Sequence, residues 1–443
     1  MICIKKQYFN WNRVLLLPMG LWPDKETKFT RFRASLFGCL LMSNIAFQLS
    51  RLFFAEFSFD FVIKILSFSA AFCTLAIFFM SFWINMETMK YLLHQLQHIY
   101  DGLKNQNEIA IYEKYGYIGK CISARLTSKN KIQRLLSEYL KISHKKLDKI
   151  GKSNTNCLLC LTSMFTVFTI CGLFFNFIII YSPFILDVVI PKNESYAIFI
   201  MKMVTKYFVV SEKYYFLIIV HMNAAFSVGM IVLTGTGTMM ISYFKYACGM
   251  FEITSYRIEQ AMANELLRNT DVKKEIVIYR GIICAVDIHR TAMEFAKCFI
   301  TKTEVLFFLL VIAGVLCLSC NLFRLFKIES PMEQVEEVLL HFIVLIIILA
   351  GTFLANYVGQ ELMDYNNHVY VTTYNVSWYL APADIQKLIL FLIQRSSRIF
   401  CLNVGGLFTA SLECFATVKL FHLFIHIVEG SRLLDCAIGK DSR

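Results

Sequence analysis

FCLNVGGLFTASLECFATVKLFHLFIHIV, running from Phe400 to Val428, is the stretch whose reading decides the fold. It is long enough to cross a bilayer, whose hydrocarbon core of about 30 Å needs about 20 helical residues. Yet it carries Glu413, Lys419, His422 and His426. A charge at the bilayer centre costs roughly 2.5 to 3.5 kcal/mol, so such residues normally face a protein interior or water rather than lipid. The favoured reading is a membrane helix that lines an ion pathway, in a bundle whose earlier helices carry a ligand site and hold the gate.

The rest of the chain belongs to the same class. Of its 443 residues 57% are hydrophobic and only 17% charged, well to the apolar side of ordinary soluble domains. The net charge of +12 would point to nucleic acid in a soluble chain. Here it reads as the positive-inside bias of membrane loops, and no nucleic-acid signature accompanies it. The 15 cysteines are scattered, most of them inside apolar runs where Cys behaves as a small hydrophobe. Cys157-x-x-Cys160 and Cys317-x-x-Cys320 have half of a zinc spacing, but no His pair answers them, so packing is favoured over metal.

The N-terminal segment, residues 1–33, has basic residues on both sides of a short apolar run interrupted by Pro18 and Pro23. It is not a secretory signal, and its Lys and Arg excess places it in the cytoplasm. Spans follow at Ala34–Phe54, Phe61–Trp83, Cys157–Ile180, Tyr207–Tyr243, Glu304–Phe323, Leu339–Tyr357 and within 399–428. The long loop from Ile84 to Thr155 is Lys-rich, and in it Met89, Leu92, Leu93, Leu96, Ile99 and Leu103 recur at helical spacing, so the second span continues below the membrane as an amphipathic helix. Lys245–Lys302 is a mixed-charge cytoplasmic segment, expected to be helical. Val358–Ser397 reads as a third inside loop, with another helix starting near Leu388. Asn193-Glu-Ser195 is a glycosylation sequon on the outside loop after the third span. Gly235-Thr-Gly237 follows no strand, so close helix packing explains it better than a dinucleotide turn.

The expected architecture is thus all-α: a seven-transmembrane bundle with its N-terminus cytoplasmic and its C-terminus extracellular, and helices extending into the cytoplasm as an anchor. Its divisions are the N-terminal segment 1–33, spans one to six with the ligand pocket in 34–357, an anchor segment 358–398, a pore-lining span 399–428 and an extracellular tail 429–443. A G-protein-coupled receptor has the opposite orientation, and its Asp-Arg-Tyr and Asn-Pro-x-x-Tyr motifs are missing. So are the paired broken helices of a transporter and the metal, nucleophile and phosphate-loop motifs of an enzyme.

Several motifs, in order, carry a resemblance. They begin with Pro18-Met-Gly-Leu-Trp22-Pro23, then Tyr246-Ala-Cys-Gly-Met-Phe-Glu252 with Tyr256-Arg257, and Asp287-Ile-His289 through Phe295-Ala296. The C-terminal third adds Tyr357-Val-Gly359-Gln360-Glu361, Tyr374-Asn-Val-Ser-Trp378-Tyr379 with Pro382, Gln386-Lys387-Leu388, and Gly405-Gly406-Leu-Phe408 with Ser411-Leu412-Glu413 and Phe415-Ala416. From Pro18 to about Val428 the chain resembles an insect odorant receptor, in a style similar to those of ants, bees and wasps. The related gustatory receptors share the topology, but their Thr-Tyr and Gln-Phe signature in the last span is missing. This chain departs from the pattern at Gly237, where many relatives have Asp, at Tyr246, where many have His, and in the ending Phe421-His-Leu-Phe-Ile-His426 with its long tail.

The resemblance implies a tuning subunit of a ligand-gated, non-selective cation channel. It would bind small volatile or cuticular compounds, need no cofactor, and assemble with the odorant receptor co-receptor, as a tetramer, in the plasma membrane of a sensory dendrite. Candidate ligand contacts are Phe61, Phe68, Phe72, Phe174, Phe177, Tyr214, Tyr215, Phe216, His341 and Phe342, all in outer halves of spans. Affinity there would come from burial at about 25 cal/mol per Å2, with one or two polar groups fixing orientation. Core or lipid contact is the competing reading of each aromatic. For the pore, Ser411, Val418, His422 and Ile425 recur at three-, four- or seven-residue steps, and Val428 matches the family's hydrophobic constriction. A packed helix whose polar groups satisfy neighbours fits the same residues. Tyr374, Trp378 and Tyr379 suit a subunit interface, where Tyr and Trp are enriched.

Overall fold

The computed structural model of the chain describes residues 3–23, 27–54, 59–124, 215–263, 272–328, 335–398, 400–404 and 408–417. The expected third span with Phe174 and Phe177, Asn193, Tyr214, and everything beyond Thr417, including Val418, His422, Ile425, Val428 and the tail 429–443, lie outside these residues.

Five of the expected spans are helical where the structure describes them, the fourth from Tyr215 on. They fall in α3 (Lys28–Phe54), α4 (Phe59–Ile84), α7 (Tyr215–Ala261), α8 (Val272–Lys327) and α9 (Val335–Asn375). Among the described residues, these are the five helices long and apolar enough to cross a membrane. At 1.5 Å per residue, α7, α8 and α9, with 47, 56 and 41 residues, are about 70, 84 and 62 Å long, at least twice a bilayer core of about 30 Å. Each therefore has an apolar upper part and a polar-studded lower part.

That length corrects one expectation. The segment 358–397 is not mainly a loop, because α9 continues unbroken to Asn375 and is followed by a 3-10 turn (Trp378–Leu380) and α10 (Ala383–Ser396). Its charges did not end the helix because they find partners inside the protein, Glu361 with Lys245 of α7 among them. The mixed-charge segment from Lys245 is helical as expected, shared between the lower halves of α7 and α8.

The amphipathic helix below the second span is α5 (Met86–Gly102), with Met86, Met89, Leu92, Leu93, Leu96 and Ile99 buried. Asn85 separates it from α4, its side-chain amide donating to the Ser81 carbonyl at 3.0 Å, a local bond that competes with regular helix geometry. A further helix, α6 (Gln106–Ala124), lies in the stretch read from charge alone as loop.

The N-terminal segment is part of the core. α1 (Ile4–Gln7), α2 (Asn10–Leu16) and the residues between them bury Ile4, Phe9, Asn12 and Leu16. Asn12 donates to the Gly235 carbonyl at 3.0 Å and to Thr238 Oγ1 at 2.8 Å, and accepts from Ser123 Oγ at 3.1 Å. A Cβ on Gly235 would fall within 3.0 Å of Leu16, so this glycine serves close packing, while no described residue comes within 4 Å of a Cβ on Gly237. The turn after α2 ends at Gly20, whose φ of +74° suits glycine. There Leu21 N–H reaches the Leu16 carbonyl and Gly20 N–H the Leu17 carbonyl, the two bonds of a Schellman cap. α3 then opens with Thr27 and Thr30 exchanging side-chain to backbone hydrogen bonds, a reciprocal N-terminal cap.

The last span differs most from expectation. Residues 400–404 and 408–411 are not helical: β1 (Asn403–Val404) pairs antiparallel with β2 (Phe408–Thr409), Asn403 opposite Thr409, and α11 begins only at Leu412 (Leu412–Thr417). Asn403, Gly405 and Gly406 are poor helix formers, and hydrophobicity alone could not reveal the break. All of this is organised around α7, which touches α2, α3, α4, α6, α8 and α9.

Candidate functional site

In the upper half, the phenylalanines of α4 separate into environments. Phe72 is buried and meets the Phe226 ring of α7 edge-on at 6.4 Å, while Phe61 and Phe68 are half-buried. Tyr215 and Phe216 start α7, and their side chains lie outside the described set. On α9, His341 is buried and Phe342, its neighbour, is 53% exposed on another face.

His341 Nδ1 lies 2.7 Å from Asn321 Oδ1 of α8. The Asn321 amide is oriented by donating Nδ2 to the Cys317 carbonyl at 2.7 Å, so its oxygen is the end that faces the imidazole, and Nδ1 is the donor. Further polar groups are buried at this level: Asn44, Gln48 and Asn223. Gln48 donates to Asn44 Oδ1 at 2.6 Å, and Ser43 contacts His221 at 3.0 Å across α3 and α7. An apolar bundle with a few fixed polar groups is the chemistry of a small-molecule site. Choosing aromatics from the sequence missed Phe226, Asn321 and the Asn44–Gln48 pair. For the amides a signal existed, because polar residues inside an apolar span mark function by default.

The lower half is a polar clasp. Arg257 of α7 grips Glu108 of α6 through two bonds of 2.8 Å and donates to the Cys284 carbonyl of α8 at 2.7 Å, the bidentate geometry in which Arg–carboxylate pairs are strongest. The Tyr115 hydroxyl contacts the Glu252 carboxylate and, at 2.7 Å, the Tyr365 hydroxyl of α9. Lys245 Nζ and Glu361 Oε1 are 2.5 Å apart, both side chains almost fully buried. The motif residues Glu252, Arg257 and Glu361 thus fasten α6, α7, α8 and α9 together.

His289 is buried against the Phe251 ring, 5.6 Å between centroids. Burial pushes its imidazole down to about 4, with Asn366 opposing and Arg395 adding to the fall. It lies fifteen residues below the start of the apolar stretch at Glu304 and is outside the membrane-spanning part. The folded value is below the unfolded 6.5, so the neutral ring contributes stability that is complete above pH 6.5 and is lost as pH falls toward 4. The loss approaches about 3 kcal/mol at the bottom of that window. Comparing denaturation of the solubilised wild type and His289→Gln at pH 7 and pH 5 checks this: the wild type should lose more stability on acidification. Equal losses would refute it.

At the base of α9, Tyr374 and Tyr379 are 61% and 64% exposed, and Trp378 is half-buried. Trp378 packs against a small cluster of Ala261, Met262, Ile278, Ile282, Ala381, Ile385 and Ile389. Leu380, and Phe391 of α10, are also exposed. This is an apolar, aromatic surface held on a rigid base. Ser411 caps α11, its Oγ accepting from Cys414 N–H at 3.0 Å, as expected of Ser at a helix N-cap.

A family model described as 7tm Odorant receptor matches residues 121–421. Among curated proteins none matches. The fold is similar to the solved structure of the insect olfactory receptor OR5 from Machilis hrabei in complex with eugenol. The TM-score is 0.66 at 12% identity, over 95% of this chain and 98% of that one. It is also similar to a second structure of the insect olfactory receptor OR5 from Machilis hrabei, with a TM-score of 0.64 at 13% identity, over 95% and 97% of the two chains. This is a multi-pass membrane fold built of helices, with one short two-stranded ladder, and with the family model matching most of its length, the chain belongs to the 7tm odorant receptor family.

Proposed function

We propose that this chain is the odorant-binding subunit of a ligand-gated, non-selective cation channel, assembled as a tetramer with the odorant receptor co-receptor in the plasma membrane of a sensory dendrite. What carries the reading is the odorant receptor match over residues 121–421. A neighbour of the same fold is described in complex with eugenol, a small molecule. In this chain Phe72, Phe226, Asn321 and His341 offer a comparable ligand an apolar wall and a polar group. The upper half is then the extracellular side and the clasp the cytoplasmic anchor, with the N-terminus inside and Asn193 open to glycosylation outside. Tyr374, Trp378 and Tyr379 meet the partner subunits. Ser411, Val418, His422, Ile425 and Val428 line the path of the permeating cations.

The test is ionic current in cells expressing the chain with and without the co-receptor, across a panel of volatiles and cuticular hydrocarbons. Ligand-evoked cation current only with the co-receptor is expected. Trp378→Ala should then reduce co-purification of the co-receptor severalfold and leave the half-maximal ligand concentration unchanged. Phe72→Ala should raise that concentration about tenfold or more, as the loss of 1.5–3 kcal/mol of side-chain burial implies. Turnover of a lipid or odorant without current would overturn the channel reading in favour of an enzyme.

A further inference from the structure

We infer that Asn356, Gly359 and Gln360, on one turn of α9, form the seat on which the last helix pivots and so set its resting position. The inference rests on the channel reading above. Two side-chain amides on this turn have a fixed orientation. Asn356 donates Nδ2 to the Thr352 carbonyl at 2.9 Å, and Gln360 donates Nε2 to Asp364 Oδ1 at 2.8 Å. Their carbonyl oxygens are thereby turned to accept. They do so from the backbone N–H of Ser411 at 3.1 Å and of Leu412 at 3.4 Å. These N–H groups open α11, where a helix has no internal acceptor to offer.

Between the two amides, Gly359 brings backbone against backbone. A Cβ there would fall well inside 3.0 Å of both the carbonyl oxygen and the Cβ of Ala410. Ala410 N–H in turn reaches the Leu402 carbonyl at 2.9 Å, which closes the extended segment below the helix. Above the seat, Phe353 and Phe415 meet edge-on at 5.2 Å, an apolar contact that can slide without breaking a hydrogen bond.

The seat itself is immobilised. Glu361, the next residue of the same turn, is in the buried ion pair with Lys245 that ties α9 to α7. Movement of the last helix relative to the bundle is therefore concentrated at residues 411–412. There Ser411 caps its own helix and travels with it. Neutral amide acceptors hold these N–H groups less strongly than a carboxylate would, which suits a joint that must yield. A carboxylate at the same place would also be favoured by the partial positive charge of a helix N-terminus.

Two variants should therefore act in opposite directions. Asn356→Leu removes an acceptor, and Asn356→Asp keeps it and adds charge. The experiment expresses each with the co-receptor and records the ligand-free cation current, isolated by exchanging permeant cations for a large organic one and divided by surface protein. Amide hydrogen exchange over 409–417 is followed in the purified complexes. We expect Asn356→Leu to speed exchange at 411–412 about fivefold to tenfold and to shift the ligand-free current severalfold, and Asn356→Asp to shift both the other way. Gly359→Ala should follow the leucine variant. If it is not delivered to the surface, the two Asn356 variants decide alone. Unchanged current and exchange at normal surface levels would overturn the inference, and so would altered exchange with unchanged current. A wild type without current, in which exchange still separates the variants, would instead overturn the channel reading and leave the seat in place.

Discussion

Glu361→Ala is expected to destabilise the protein by about 3–5 kcal/mol, the usual cost of removing one partner of a buried ion pair and leaving the other uncompensated. The side chains of Lys245 and Glu361 are 2% and 6% exposed, and no solvent replaces the missing carboxylate. The double variant Lys245→Met, Glu361→Leu should recover most of the loss, because both desolvation penalties vanish with the charges. Denaturant titration of the solubilised protein reads all three forms. A single variant as stable as the wild type would show that the pair is not buried as described. The effect should extend to the last helix, because Glu361 sits on the turn of α9 that contacts residues 410–412.

Gly116→Ala is the second large effect, with an expected cost of about 1–3 kcal/mol for overpacking. Its new methyl would fall well inside 3.0 Å of the Tyr246 hydroxyl and at 3.1 Å from the Tyr8 ring. Tyr246 cannot retreat. It is fully buried, with Phe9 stacked at 6.0 Å and Tyr112 at 5.0 Å. Among the described residues its buried hydroxyl has no hydrogen-bond partner, so Tyr246→Phe alone should be neutral or stabilising. Combined with Gly116→Ala, it should restore most of the lost stability. Additive destabilisation in the double variant would place the clash elsewhere. Gly116, across the α6–α7 contact, leaves the room that the Tyr246 hydroxyl occupies.

Much of the lower half could be read from spacing alone. Met89, Leu92, Leu93, Leu96 and Ile99 predicted the buried face of α5, and the structure buries each of them. Helical periodicity is a local property, and α5 needs only one neighbour to cover one stripe. The lower halves of α7 and α9 were less legible for the opposite reason. Their charges read as loop or cytoplasmic surface until Lys245 meets Glu361, and Arg257 meets Glu108, across gaps of 116 and 149 positions. The order of the family motifs signalled that these residues mattered without saying what they touch.

The candidate ligand site was legible only as a level in the membrane. Outer-half aromatics could be enumerated, but Phe72 turns inward to Phe226 while Phe342 turns outward, a distinction that depends on how each helix is rotated in the bundle. His341 was selected, but its partner Asn321 lies twenty positions away on another helix. The last span was misread at its start, because hydrophobicity could not distinguish a helix from the extended segment that precedes α11.

By itself the sequence determined the class of the protein, the places of five long apolar helices and, through its ordered motifs, its family. Composition, segment length and period are written along a single chain, and a bilayer tests them segment by segment. Tertiary structure alone decided that the N-terminal segment is clamped to α7 by Asn12, that Gly116 makes room for Tyr246, and that α9 seats the last helix. Those facts depend on pairs of residues brought together by helix packing, and their energies come from burial and hydrogen bonds that exist only after the helices have met.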